Sequence, residues 1–233
     1  MYESNYYNII SCGKIKFATG RFDGKYLYEK SDFDEWQAYF QQDIQISKYL
    51  MNNLIDFERR LNSRVAYCIA ELISNTNLSS KDRNEIIELI QKVNKHYDGQ
   101  LTWQYIANMT LGEMKQILLW LEKKHPEIYK KCVAGFSFLN KKKKKVKSGR
   151  YVNLNEIRLN EINHLRNNLF HFRPLSIYLT YGGRVGYESF KNENRKDVVN
   201  FIFDLKKNRE ISTGMMDIIN ASDRFISIKK QLY

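Results

Sequence analysis

The chain has 233 residues, 43% of them hydrophobic, which suits one large domain or two small ones and leaves no apolar window near the roughly 18 residues a membrane helix needs. Its start, MYESNYYNII, lacks a basic region followed by an apolar stretch, and its three scattered cysteines (Cys12, Cys68, Cys132) form no C-x-x-C pair, so a secretory signal, a disulfide framework and a zinc site are not expected. The net charge of +12 points to a polyanionic partner, since each neutralised phosphate releases condensed counterions; genome-level lysine bias is the competing explanation. The expectation is a cytoplasmic protein with no membrane association and no metal.

In chain order, Lys14 to Ala18 alternates like a strand, Thr19 to Gly24 contains turn formers, and Lys25 to Tyr28 reads as a returning strand. A helix follows Ser31, with Glu35 placed as in a capping box and Trp36, Phe40 and Ile44 on one side. A second long helix covers residues 46–74. Its apolar positions Leu54, Phe57, Leu61, Val65, Cys68 and Leu72 advance by threes and fours, which makes a core stripe. After a break at 75–80, Ser80 or Asp82 can cap a helix running to Tyr97. Thr110 to Lys124 is amphipathic through Met114, Ile117, Leu118 and Leu121, and His125-Pro126 stops it. The run KKKKKVKSGR (141–150) repels itself and reads as a mobile basic loop. Residues 152–173 form a helix ended by Pro174, Ser176 to Phe190 carries a hairpin signal around Gly182-Gly183, and 197–207 and 213–230 close the chain as helices. No internal boundary is visible. The expected architecture is a single, mainly α domain with one or two small β-hairpins, its helical core over 31–175 and elaborations at 1–30 and 176–233.

The segment VNLNEIRLNEINHLRNNLFHFRP (152–174) carries the chemistry. At about 100° per residue, Leu154, Ile157, Ile162, Leu165, Leu169 and Phe172 fall on one side, the expected core face. His164, Asn167 and His171 lie opposite, with Arg166 and Phe170 at the edge. Asn167 and His171 are four apart and stack as neighbours. A guanidinium, an amide and an imidazole on one helix end suit RNA cleavage without a metal. The 2′-hydroxyl must lose a proton as it attacks phosphorus and the leaving 5′-oxygen must gain one, and histidine can do either near neutral pH. Arginine can clamp the phosphorane oxygens where negative charge grows, and Asn167 can orient the imidazole or bind a phosphate oxygen. A second formal match, Arg158 to His164, has apolar Leu159 after its arginine and does not suit a polar site.

RNNLFH (166–171) has the R-N-x-x-x-H form of the HEPN ribonuclease motif. The chain resembles the AbiD/AbiF (Abi-like) abortive-infection branch of the HEPN superfamily over roughly residues 40–175. Three segments carry the resemblance in order: DFERRLNSRVAYCIAEL (56–72), TWQYIANMTLGEMKQILLWL (102–121) and LRNNLFHFRPL (165–175). The resemblance implies a HEPN-like helical bundle, RNA as substrate, no cofactor, and a composite site in which two chains supply one R-x-x-x-x-H motif each, hence a homodimer. It also implies a small structured noncoding RNA as restraining partner. Arg166, Asn167 and His171 take the catalytic roles, and Arg173 stands beside them as an RNA contact.

Other basic residues are candidates for RNA phosphates: Arg59, Arg60 and Arg64 off the apolar stripe, and Lys141, Lys142, Lys143, Lys144 and Lys145 in the lysine run, which departs from the branch pattern. For the arginines the competing reading is a salt-bridged solvent face. His96 and His125 have no ligand spacing and read as surface residues. Three functions stay open at this point: an endoribonuclease toxin of phage defence or a toxin–antitoxin pair, a non-catalytic RNA-binding HEPN protein, and a HEPN toxin restrained by a protein antitoxin.

Overall fold

In the computed structural model of the chain, the residues described are 2–74, 78–93, 103–136, 139, 144–145, 151–152, 154–182, 192–205 and 212–230. Their elements in order are α1 (Tyr2–Phe17), β1 (Ala18–Phe22), β2 (Lys25–Tyr28), α2 (Phe33–Ser74), α3 (Ser80–Val93), α4 (Trp103–Ala107), α5 (Leu111–Lys124), α6 (Pro126–Val133), β3 (Lys144–Lys145), β4 (Tyr151–Val152), α7 (Leu154–Phe170), α8 (Leu175–Tyr181), α9 (Asn192–Leu205) and α10 (Ser212–Lys230). The fold is mainly helical. It divides into two compact units, Met1–Asn53 with His164–Tyr233, and Leu54–Asn163. Both chain crossings fall inside helices, α2 and α7, so no Pro- or Gly-rich linker marks them in the sequence.

In the first unit, Ile9, Cys12 and Ile15 are all buried. That spacing of three belongs to a helix, and it overrides the strand-like alternation at Lys14 to Ala18, most of which lies in α1. Gly13 lets α1 approach α2 closely: a Cβ there would overlap the Trp36 ring. The indole is further held by Phe17, stacked with centroids 6.0 Å apart, and by donating its Nε1 proton to Ser31 Oγ at 2.8 Å. The hairpin is present but shifted. β1 pairs antiparallel with β2 through Phe22↔Lys25, and Asp23-Gly24, with φ of 48° and 75°, forms the two-residue reversal that an Asp-Gly step favours.

The expected helices at 31 and 46 are one 42-residue helix, α2. Asp32 rather than Ser31 caps it: Glu35 N donates to Asp32 Oδ1 at 2.9 Å and Asp32 N to Glu35 Oε2 at 3.0 Å. The expected strand after Ser176 is also helical. Leu175, Tyr178 and Leu179 are buried at i, i+3 and i+4, so α8 presents one apolar face; the remainder of the expected hairpin, 183–190, lies outside the described residues. α9 begins at Asn192 rather than Asp197 and α10 follows as expected, together packing Val198, Phe201, Ile202, Met215, Ile218 and Phe225 into this unit's core.

In the second unit, the stripe Leu54, Phe57, Leu61, Val65, Cys68 and Leu72 is buried throughout, as its periodicity requires. Ser79, not Ser80 or Asp82, caps α3, its Oγ accepting from Asp82 N at 3.0 Å, and the expected extension beyond Val93 lies outside the described residues. Thr110 and Glu113 form a reciprocal capping box on α5. Glu58 and Asn62, one turn apart on α2, anchor the segment leading into α5: Glu58 Oε1 accepts from Leu111 N at 2.7 Å, and Asn62 Nδ2 donates to the Met109 carbonyl. Pro126 starts α6 instead of merely ending α5. Two residues of the lysine run, Lys144 and Lys145, pair antiparallel with Val152 and Tyr151, so that part is strand and not loop.

Candidate functional site

α7 buries Leu159, Ile162, Leu165 and Leu169, a helical stripe that leaves Arg166 half-buried and Asn167 exposed. Two hydrogen bonds end the helix: Arg173 N donates to the Asn168 carbonyl at 3.0 Å and Phe172 N to the Leu169 carbonyl at 3.0 Å. These are the two bonds of a Schellman motif. Its C′ position, normally glycine, is Phe172 at φ 53°. The chain therefore swings away at Phe172, and the phenyl ring expected in the core face is 60% exposed instead. Pro174 then prevents continuation.

On the outward rim of this turn sit the three motif residues. Arg166 is half-buried, with its guanidinium carbon 4.2 Å from the Phe170 ring centroid and its NH1 donating to Asn167 Oδ1 at 3.4 Å. Asn167 and His171 are exposed, and His171 N donates to the Asn167 carbonyl at 3.1 Å. The imidazole of His171 makes no side-chain hydrogen bond among the described residues, so it faces solvent with both nitrogens open to a ligand. Arg166 and Asn167 are thus brought together directly, while His171 is joined to them through backbone and helix geometry. The neighbouring Asn168 is structural: it is buried, and its Nδ2 donates to the His164 carbonyl at 2.8 Å. Arg173 is exposed beside Phe172. Arg158, of the second formal match, is buried at 4% exposure and lies outside any solvent-facing site.

Asp43 also belongs here, though nothing in the motif announces it. It is fully buried on α2, and its Oδ1 and Oδ2 accept from Leu175 N at 2.5 Å and Ser176 N at 2.9 Å, with Ser47 Oγ donating to Oδ1 at 3.2 Å. These are the first backbone donors of α8, left orphaned by helix geometry. The carboxylate thereby ties down the chain four residues after His171. Burial pushes its pKa above the usual carboxylate range, and the donors from Ser176, Leu175 and Ser47 pull it back. The available sequence signal was an acidic residue inside an otherwise buried face: Tyr39, Phe40, Ile46 and Leu50 surround it at helical spacing.

The strain at Phe172 gives an expected result. A non-glycine residue in the left-handed region costs about 1–2 kcal/mol. Phe172→Ala retains a Cβ there and Phe172→Gly does not, so the glycine variant should be about 1 kcal/mol more stable than the alanine variant, read by urea denaturation. Equal midpoints would show that the turn carries no such strain.

The arginines of α2 occupy the second unit. Arg59, Arg60, Ser63, Arg64 and Tyr67 line an open hollow of about 480 Å³. No ion pair to Arg59, Arg60 or Arg64 occurs among the described residues, which counters a salt-bridged face. Of the lysine run, only Lys144 and Lys145 are described, as backbone strand; Lys141, Lys142 and Lys143 lie outside the described residues, as does His96. His125 is half-buried against Trp120, with ring centroids 5.0 Å apart, so it is packed rather than a surface residue. The three cysteines are buried free thiols. Among the described residues no cluster of His, Cys, Asp and Glu could hold a metal, and no helix is long and apolar enough to cross a membrane. No protein-family model, curated protein or solved structure matches the chain.

Proposed function

We propose that the protein is a metal-independent endoribonuclease with a HEPN-like fold, a toxin of an abortive-infection or toxin–antitoxin system. The observation that carries the reading is the clustering of Arg166, Asn167 and His171 on the solvent-facing rim of the last turn of α7, beside a rigid Schellman turn. In this reading His171 moves the proton of the 2′-hydroxyl or of the leaving 5′-oxygen, and Arg166 neutralises the non-bridging phosphate oxygens as negative charge develops. Packing on Phe170 and contact with Asn167 restrict the guanidinium's rotamers, which lowers the entropy lost on binding phosphate. One motif per chain makes the working unit a homodimer, in which a second copy supplies the other acid–base group. The charge of +12 supports RNA both as substrate and, in structured noncoding form, as restraining partner.

The test is a cleavage assay on single-stranded RNA with excess EDTA. Attack by the 2′-hydroxyl needs no metal and leaves a 2′,3′-cyclic phosphate on the 5′ fragment, which is then the expected end group. Cleavage abolished by EDTA, or fragments carrying 3′-hydroxyl ends, would replace this reading with a metal-dependent one.

A further inference from the structure

The α2 hollow has a composition that the cleavage motif does not explain. Along one face of the helix, Arg60 and Arg64 are separated by four residues, about 6 Å of rise, and so are Arg59 and Ser63. The face ends at Tyr67, a residue 70% exposed. Arg64 is positioned: its guanidinium carbon lies 5.9 Å from the centroid of the Phe136 ring, which Phe57 braces edge-on at 5.3 Å. Gly135, at φ 85°, makes room for it, since a Cβ there would come within 3.3 Å of Arg64 NH1. Three guanidinium groups without a carboxylate partner among the described residues repel each other, which costs stability. A single-sign cluster of this kind, held in place and ended by an exposed aromatic face, complements phosphates flanking a base that has left its stack.

We propose that this face of α2 binds an unpaired nucleotide of the RNA, with Arg59, Arg60 and Arg64 on successive phosphates, Ser63 donating its hydroxyl to one of them, and the base stacked on Tyr67. The proposal rests on RNA being the protein's ligand and adds to it where a strand is held and in what state. A bulge or loop fits the hollow, because a paired base has no free face to offer Tyr67. A uniform duplex contributes phosphates alone.

The test uses the full chain carrying His171→Ala, so that bound RNA stays intact. The probes are a fluorescein-labelled RNA stem-loop with a uridine loop and the blunt duplex of the same stem, titrated by anisotropy over a range of KCl. Tyr67→Ala should weaken stem-loop binding about tenfold or more and leave duplex binding unchanged, and Tyr67→Phe should restore the parent affinity. The triple variant Arg59→Ala, Arg60→Ala, Arg64→Ala should flatten the log–log salt slope by about 0.7 to 0.9 for each phosphate it no longer neutralises. The proposal is overturned if both sets of variants bind both probes like the parent, if Tyr67→Ala weakens the two probes equally, or if the parent binds neither at physiological salt. The ribonuclease reading is judged separately, by cleavage with His171 in place, so either can fail while the other stands.

Discussion

Replacing His171 with alanine is expected to lower RNA cleavage by roughly 10²- to 10⁴-fold, the range that a positioned acid–base group contributes. The imidazole is exposed and without a side-chain hydrogen bond among the described residues, so the variant should keep its stability within about 0.5 kcal/mol. Loss of cleavage without loss of fold is the combination that separates chemistry from structure. Arg166→Ala should cost about 10²- to 10³-fold, and Arg166→Lys should recover little of it, because an ammonium offers no planar fork. Mixing inactive Arg166→Ala and His171→Ala chains should return part of the activity, because each mixed dimer keeps one His171 and one Arg166 on different chains, which can act together only across the interface. Full cleavage by His171→Ala sinks the assignment, and a mixture as inactive as its components sinks the composite site.

Asp43→Ala should destabilise the protein by about 3 kcal/mol, a large share of the 5–15 kcal/mol typical of a domain. It leaves Leu175 N and Ser176 N buried without their carboxylate acceptor, and each unsatisfied buried donor costs about 1–3 kcal/mol. Asp43→Asn should cost less than this. Its single carbonyl can accept from one of the two donors, while its amide faces the other donor with a second donor. Urea denaturation at neutral pH should show a lower midpoint with unchanged slope. Cleavage should fall as well at temperatures where Asp43→Ala remains folded, because the carboxylate fixes the chain just beyond His171. A midpoint within error of the parent would show that water or another group satisfies α8, and would remove Asp43 from the support of the site.

What could be read along the chain was what repeats along the chain. Burial on a helix follows a local period, so the stripe from Leu54 to Leu72, the amphipathic segment from Thr110 to Lys124, and the outward rim of Arg166, Asn167 and His171 all followed from the sequence by itself. So did the mainly helical class and the strong positive charge. Short segments were harder, because an apolar run such as Leu175 to Tyr181 satisfies a strand and a helix equally well. Only tertiary structure decided that it became α8, by offering a carboxylate on α2, 132 residues earlier, to its first backbone donors. It likewise decided that Phe172 faces solvent, since a left-handed turn at that residue carries the ring off the helical stripe. The same holds for the arginines of α2. Charge spacing places them on one face, but whether acidic side chains cover that face depends on neighbours brought in by folding, and among the described residues none does. Local period sets which way a side chain points. What it meets there is set by partners far away in sequence.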